Sequence, residues 1–116
     1  MDDFRMTIGE LIDELNKYND DDVVLNVDIE DYGSDRGDYQ DFYVGVADDG
    51  EGNCTVGSLV SLLWKVQGES FTGYKGGEFL MDSDTVIRHN NYGCVGEQII
   101  GVERCDEGLY LDTKSY

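Results

Sequence analysis

The 116-residue sequence contains no proline, one histidine and only eight lysine and arginine residues. So few basic residues argue against binding to nucleic acid or to an anionic membrane surface, because both are contacted through clusters of Lys and Arg. No run approaches the ~20 apolar residues that cross a membrane, and residues 1–6 lack the basic and apolar regions of a signal peptide. Three cysteines (Cys54, Cys94 and Cys105) without a Cys-x-x-Cys pair are typical of a reducing compartment. We therefore expect a soluble, cytoplasmic protein.

Acidic residues are what the sequence has in excess: 26 Asp and Glu give a formal net charge of −18. Residues 1–53 carry 17 acidic and 3 basic side chains (−14), whereas residues 54–116 carry 9 and 5 (−4). A negative field concentrated in one half of a chain favours a basic partner. At 40% hydrophobic residues, the chain can bury one modest core, which predicts a single domain over residues 1–116.

An internal repeat organises this domain. The pattern T-[IV]-G-x-L-[IV]-x-x-L begins at Thr7 and again at Thr55, and its apolar spacing predicts two helices with these threonines as N-caps. Glu10 predicts a capping box in the first helix only, because Ser58 stands at the corresponding position of the second. Leu62, Trp64 and Val66 add to the apolar surface of the second helix, which is therefore predicted to be the more deeply buried.

Strand-like sequence follows each helix, with alternating segments at residues 23–30 and 39–46 in the first half. Four shorter segments follow in the second half, at residues 78–81, 85–88, 98–103 and 109–111. Fifteen glycines and no proline favour hairpin turns over a stiff linker. The sequence therefore predicts an α+β fold of two tandem α-β-β units, about 1–53 and about 54–116 with an extra hairpin. Together they would form an antiparallel sheet with two helices on one face.

The acidic residues around the first two strands form the candidate partner-binding surface. Alternation turns Leu25, Val27 and Ile29 inward, and it leaves carboxylates and tyrosines on the outer face. Carboxylates two residues apart on a strand lie roughly 6.6–6.8 Å apart, which is suited to rows of Lys and Arg that bind phosphates. Tyrosines at such a surface act as anchors. The alternative interpretation is a solvated face that serves only solubility. The candidate residues are Asp20, Asp21, Asp22, Asp28, Glu30, Asp31, Asp35, Asp38, Tyr39, Asp41 and Tyr43.

Catalytic, metal and cofactor sites have weaker support in the sequence. The acidic loops carry oxygen ligands suited to calcium or magnesium, but none has the spacing of a calcium-binding loop, so we expect no dedicated metal site. His89 and Cys94 could form a nucleophilic pair, but no third orienting group is suggested. The glycine-rich residues 73–78 lack the spacing of a phosphate-binding loop. The sequence therefore predicts no enzyme activity and no cofactor.

Residues 6–15, followed by the acidic turn and Asp22-Val23-Val24, resemble the opening of many small phage and prophage accessory proteins. In those proteins a helix of this type runs into an acid-rich turn and a strand. With this size and charge, the chain is similar to phage anti-CRISPR and other anti-defence inhibitors, several of which mimic DNA. The resemblance implies a non-enzymatic inhibitor that acts in the host cytoplasm and binds a basic, nucleic-acid-binding surface of a host defence protein. It carries over no individual functional residue.

A second hypothesis of a different class is a small structural or assembly protein of a phage or bacterium. Such a protein would self-associate through an exposed sheet edge or through the surface of the second helix. The concentration of charge in the first repeat favours the inhibitor. A homo-oligomeric mass in solution would favour the assembly protein, and neither hypothesis involves direct contact with nucleic acid or with a membrane.

Overall fold

The computed structural model describes residues 6–34, 41–47, 54–72, 77–89 and 97–114. Two helices, α1 (Ile8–Leu15) and α2 (Val56–Val66), follow the two threonines of the repeat, as predicted. Neither described helix is long and apolar enough to cross a membrane. The strands are β1 (Val23–Val24), β2 (Val27–Ser34), β3 (Phe42–Val46), β4 (Cys54–Thr55), β5 (Ser70–Thr72), β6 (Glu78–Leu80), β7 (Ile87–His89), β8 (Glu97–Cys105) and β9 (Gly108–Lys114).

Seven of these strands form one mixed sheet in the order β2-β3-β7-β8-β9-β1-β4, and β5 and β6 form a separate hairpin. The prediction of two tandem α-β-β units with an antiparallel sheet and helices on one face is wrong. Two of the pairings are parallel: β3 with β7, and β1 with β9. Each joins a strand of the first half of the chain to one of the second half. The two halves therefore share one sheet instead of lying side by side as units.

The sheet curls until it is nearly closed like a barrel. Its two end strands, β2 and β4, contact each other. Asn26, between β1 and β2, extends the pairing through its side chain, since Nδ2 donates to the carbonyl of Leu111 (3.1 Å) and Oδ1 accepts from the Leu111 amide (2.9 Å). The Asn26 carbonyl accepts from the amide of Ala47 at 3.1 Å, and it also lies 2.8 Å from Nε2 of His89. One asparagine therefore connects three strands where the sheet would otherwise be interrupted.

Both helices contribute their apolar faces to a single core. In α1 the buried residues are Ile8, Leu11, Ile12 and Leu15, as the spacing predicted. In α2 the stripe includes Leu59, Leu62, Leu63 and Val66, but the side chain of Trp64 is 60% exposed. Of the three apolar residues that were predicted to deepen the burial of the second helix, Leu62 and Val66 are buried, but the prediction is wrong for Trp64, which lies off the buried stripe.

The start of α1 is hydrogen-bonded to a turn that precedes β7 in the second half of the chain. The amides of Ile8 and Gly9 donate to the carbonyls of Thr85 (2.9 Å) and Ser83 (3.0 Å). A β-carbon on Gly9 would lie 3.2 Å from both Cβ and O of Ser83, which is tighter than ordinary contact. The glycine of the repeat therefore permits this close approach.

The start of α2 makes the reciprocal contact with the turn that precedes β1. The amides of Val56 and Gly57 donate to the carbonyls of Asp22 (2.8 Å) and Asp20 (3.0 Å), and a β-carbon on Gly57 would lie 3.2 Å from Cβ of Asp20. Each half of the chain thus supplies the turn on which the helix of the other half begins.

Both helices also begin with a complete capping box. At α1, Thr7 Oγ1 accepts from the Glu10 amide (3.2 Å) and Glu10 Oε1 accepts from the Thr7 amide (3.0 Å). At α2, Thr55 Oγ1 accepts from the Ser58 amide (3.1 Å) and Ser58 Oγ accepts from the Thr55 amide (2.9 Å). The expectation that Ser58 leaves the second box incomplete is wrong, since a hydroxyl reaches the same amide as a carboxylate does.

Candidate protein-binding surface

The predicted binding residues at positions 20–22 lie on the turn at the start of α2. Their position is fixed by backbone hydrogen bonds to that helix, and a bond from the Asn19 amide to Asp22 Oδ2 (3.1 Å) closes the turn. The side chains of Asp20 and Asp21 are exposed, whereas Asp22 is half-buried and paired with Arg104 (2.9 Å). Two of the three carboxylates therefore face solvent without a described cation beside them.

The predicted residues on β2 do not form a regular array, because the pairing of β2 with β3 shifts register between Asp28 and Tyr32. Asp28 and Asp31 are half-buried and Glu30 is exposed. Oδ1 of Asp28 accepts from the amide of Glu30 at 3.0 Å, and Oδ1 of Asp31 accepts from the hydroxyl of Tyr43 at 2.5 Å. The bulge and these local bonds replace the even carboxylate spacing that strict alternation predicted.

Two residues of the predicted binding surface are buried: Asp41, which precedes β3, and Tyr43, which lies within it. Asp41 is 7% exposed and Tyr43 is 9% exposed, which contradicts their predicted place on an outer face. Asp41 accepts a hydrogen bond from Nε of Arg88 (2.7 Å), a buried residue of β7, the strand beside β3. Burial is therefore accompanied by charge pairing, and the small part of Asp41 that is accessible lines the larger of the two cavities described below. Asp35, Asp38 and Tyr39 lie outside the described residues.

Most of the cations in the described part of the chain are paired with its own carboxylates. Lys17 contacts Glu14 at 2.8 Å, and this hydrogen bond raises the pKa of Lys17. Arg104 pairs with Asp22 and lies 5.4 Å from the centroid of the Tyr18 ring, and Arg88 pairs with Asp41 as described above. The remaining exposed carboxylates carry a negative field that these cations do not offset.

Sequence reasoning missed a second surface, where two cavities meet at Asp84. The larger, about 530 Å³, is lined by Leu80 and by the carboxylates of Glu78 and Asp82. The smaller, about 330 Å³, lies between the first turn of α1, the end of α2 and the 83–84 turn, and Trp64 forms part of its wall. Trp64 and Leu80, at 60% and 61% exposed, are the most exposed large apolar side chains in the described part of the chain. The sequence did contain a signal for this surface, because Trp64 lies off the apolar spacing of the repeat. That signal was missed, since Trp64 was counted among the core residues of the second helix.

Of the two side chains considered as a nucleophilic pair, the structure describes one. His89 is buried, with Nε2 2.8 Å from the carbonyl of Asn26, and Cys94 lies outside the described residues. Cys54 is buried, which raises the pKa of its thiol to about 11. Among the residues that the structure describes, no cluster of three His, Cys, Asp or Glu side chains could hold a metal ion.

The helix N-termini are not open anion sites, although their dipoles would favour one. The first three amides of α1 donate to Thr85, Ser83 and the Thr7 side chain, and those of α2 are used in the same way. Phosphate would have to displace these bonds and then approach a surface rich in carboxylates. What the arrangement offers is acceptors and an exposed indole, which suit a cationic ligand.

Comparison with protein-family models, with curated proteins and with solved structures finds no match.

Proposed function

We propose that the protein is a non-enzymatic inhibitor of the phage anti-defence type, which binds a basic, nucleic-acid-binding surface of a host defence protein. The observation that carries this proposal is the uncompensated acidity of the surface. The chain has a net charge of −18, and three of its described cations are held by its own carboxylates. Such a surface is complementary to one that has evolved to meet phosphates.

The exposed carboxylates of the first half would make the initial contact with this partner. Asp20, Asp21 and Glu30 are the candidate residues that remain exposed, and the turn that carries the first two is held to α2 by backbone hydrogen bonds. A rigid support lowers the entropy lost on binding. Charges of this kind act mainly by speeding diffusional encounter, so the association should weaken as salt rises.

The inhibitor proposal is tested by capture of partners from nuclease-treated bacterial lysate, followed by DNA displacement from the captured protein. The expected partner binds nucleic acid, and adding this protein releases labelled DNA from it at low salt. The triple variant Asp20→Asn, Asp21→Asn, Glu30→Gln should associate more slowly. The matched control is Glu103→Gln, Asp106→Asn, Glu107→Gln, which removes three exposed charges near the β8–β9 turn. A partner without nucleic-acid binding, or no release of DNA, would contradict the proposal.

The second candidate function is self-association as a small assembly protein, and the exposure of Trp64 on α2 favours it. Against it stands the charge, because two copies of this chain repel each other unless their contact excludes the acidic faces. Sedimentation at low and high salt separates the two functions. A stable dimer or larger oligomer that loses its association in Trp64→Ala would support the assembly protein.

A further inference from the structure

The exposed indole of Trp64 forms one wall of a cavity whose other walls are mostly polar. An exposed tryptophan is costly to leave in water, and tryptophans are enriched among the residues that anchor protein interfaces. The cavity of about 330 Å³ is large enough for one side chain of a partner. The cavity lies between two helices and a turn, and backbone hydrogen bonds from Ile8 and Gly9 hold α1 to that turn.

Three carboxylates line this cavity together with the indole, the Gln67 amide and the Thr7 and Ser83 hydroxyls. Asp13 on α1 and Asp84 on the turn before β7 both line the cavity, and both are exposed. Glu10 lines it as well, although one of its oxygens accepts from the amide of Thr7 in the capping box. No lysine or arginine lines the cavity among the described residues. The backbone amides of Ile8, Gly9 and Glu10 are already bonded, so the helix start adds no donor to attract an anion.

We propose that this cavity binds the guanidinium group of an arginine side chain presented by the basic partner. The inference deepens the inhibitor function proposed above and rests on it for the identity of the partner. A guanidinium stacks on the face of an indole through a cation–π contact, and its edge donates to carboxylates. Arginine fits better than lysine, because its planar fork can stack and donate to two acceptors at once, whereas ammonium is a compact, strongly hydrated charge.

The nature of the occupant follows from charge complementarity. A second copy of this chain would bring further carboxylates to Asp13 and Asp84, and a purely apolar segment would desolvate both groups without giving them a donor. A basic segment avoids both costs. The second cavity, which adjoins at Asp84, places the carboxylates of Glu78 and Asp82 beside the exposed side chain of Leu80, and it extends the surface for residues that flank the arginine.

The test uses the fluorescence of Trp64, which is the only tryptophan in the sequence. The probe is a heptapeptide with neutral ends in which three arginines alternate with glycines, and its partner probe carries three lysines. We expect the arginine peptide to change the emission of Trp64 in a saturable way and to bind several-fold more tightly than the lysine peptide. The double variant Asp13→Asn, Asp84→Asn should weaken binding about tenfold or more. The control Asp106→Asn, Glu107→Gln removes two exposed charges elsewhere and should change affinity less than about twofold.

Trp64→Ala is measured by calorimetry, since it lacks the fluorophore, and should weaken binding of the arginine peptide several-fold while circular dichroism stays unchanged. The inference is overturned if the control loses as much affinity as the double variant, if the two peptides bind equally, or if saturating peptide leaves the emission unchanged.

The DNA-displacement assay separates this inference from the proposed function. If the peptide binds as expected but the wild-type protein releases no DNA from any basic partner, the arginine site stands and the inhibitor function fails. If wild type and Trp64→Ala release DNA equally well, the inhibitor function stands and the arginine site is overturned.

Discussion

Nε of Arg88 donates a hydrogen bond to Oδ2 of Asp41 over 2.7 Å, and both side chains are buried. The pair joins the residue before β3 to a residue of β7, and the two residues are 47 positions apart in the sequence. β3 and β7 are neighbouring parallel strands. A buried ion pair of this kind tolerates loss of both charges better than loss of one, because a single remaining charge has no compensation in the interior.

The first prediction concerns this pair. Asp41→Ala should lower the free energy of unfolding by about 3–5 kcal/mol, because it removes the carboxylate that pairs with the buried guanidinium of Arg88. The double variant Asp41→Leu, Arg88→Met should recover much of this loss. Urea unfolding followed by circular dichroism measures both, and Asp106→Ala on the exposed β8–β9 turn is the control. A single variant as stable as wild type would show that the pair does not form.

The second prediction concerns the helix starts. Thr55→Ala and Thr7→Ala should each lower the free energy of unfolding by about 1 kcal/mol, since both threonines accept from the amide three residues on. Ser58→Ala removes the reciprocal bond and the bonds of the Ser58 hydroxyl to Oγ1 and the carbonyl of Thr55, but it keeps the bond from the Ser58 amide to Thr55 Oγ1 and should cost less than Thr55→Ala. Denaturant unfolding of the three variants gives the comparison, and a neutral Thr55→Ala would contradict the N-cap bond at α2, whereas a neutral Ser58→Ala would contradict the closing of the second box by Ser58.

The third prediction concerns the contact between β9 and β1. A β-carbon on Gly108 would lie 2.6 Å from the carbonyl oxygen of Val23, which belongs to the backbone and cannot rotate away. Gly108→Ala should therefore destabilise the protein by ~1–3 kcal/mol. Gly101→Ala is the matched control, because a β-carbon there meets nothing within 4 Å. Thermal unfolding of both variants measures the difference, and equal midpoints would contradict the close approach of the two strands.

The fourth prediction concerns the thiols. Burial raises the pKa of Cys54 to about 11 from its usual 9.0, whereas Cys105 is partly exposed. In a Cys94→Ser background at pH 8, iodoacetamide should modify Cys105 and leave Cys54 unmodified until urea is added. Mass spectrometry of the digested protein locates the label.

Raising the pH tests the same burial in another way. The unfolded thiol loses its proton near pH 9.0 and the native one near pH 11, so the native state binds more protons between these values. The contribution of Cys54 to stability should therefore be full below pH 9 and should fall as the pH rises towards 11. A Cys54→Ala variant with the same pH dependence as wild type would contradict this.

The sequence predicted many local features, because the relevant interactions lie within one helix or one strand, but the single strand predicted at residues 23–30 is divided by a turn at 25–26 into β1 and the start of β2. The helices that begin after Thr7 and Thr55 are confirmed, and so are strands near residues 78–81, 85–88, 98–103 and 109–111. The spacing of apolar residues is a local signal for both kinds of element, and the N-cap threonine is a local signal for the start of each helix.

Strand pairing and side-chain placement were harder, because their causes lie far away in the sequence. Asp41 alternates with apolar residues, so period two assigned it to solvent, but Arg88 arrives on a neighbouring strand and neutralises it in the interior. The parallel pairings of β3 with β7 and of β1 with β9 leave no periodic signal, and the sheet order was therefore predicted wrongly. Trp64 was assigned to the core on its residue type alone.

The reciprocal arrangement of helix starts and turns has a consequence for the order in which the chain folds during synthesis. The amides of Ile8 and Gly9 have no backbone partners until the ribosome has added Ser83 and Thr85. The pairing of β1 with β9 likewise cannot form until Leu109 has been added. Non-local contacts of this kind slow folding, since long loops must close before the contacts form. A chain that ends after about residue 53 should therefore remain unfolded. Separately made pieces 1–53 and 54–116 should become structured only when they are mixed.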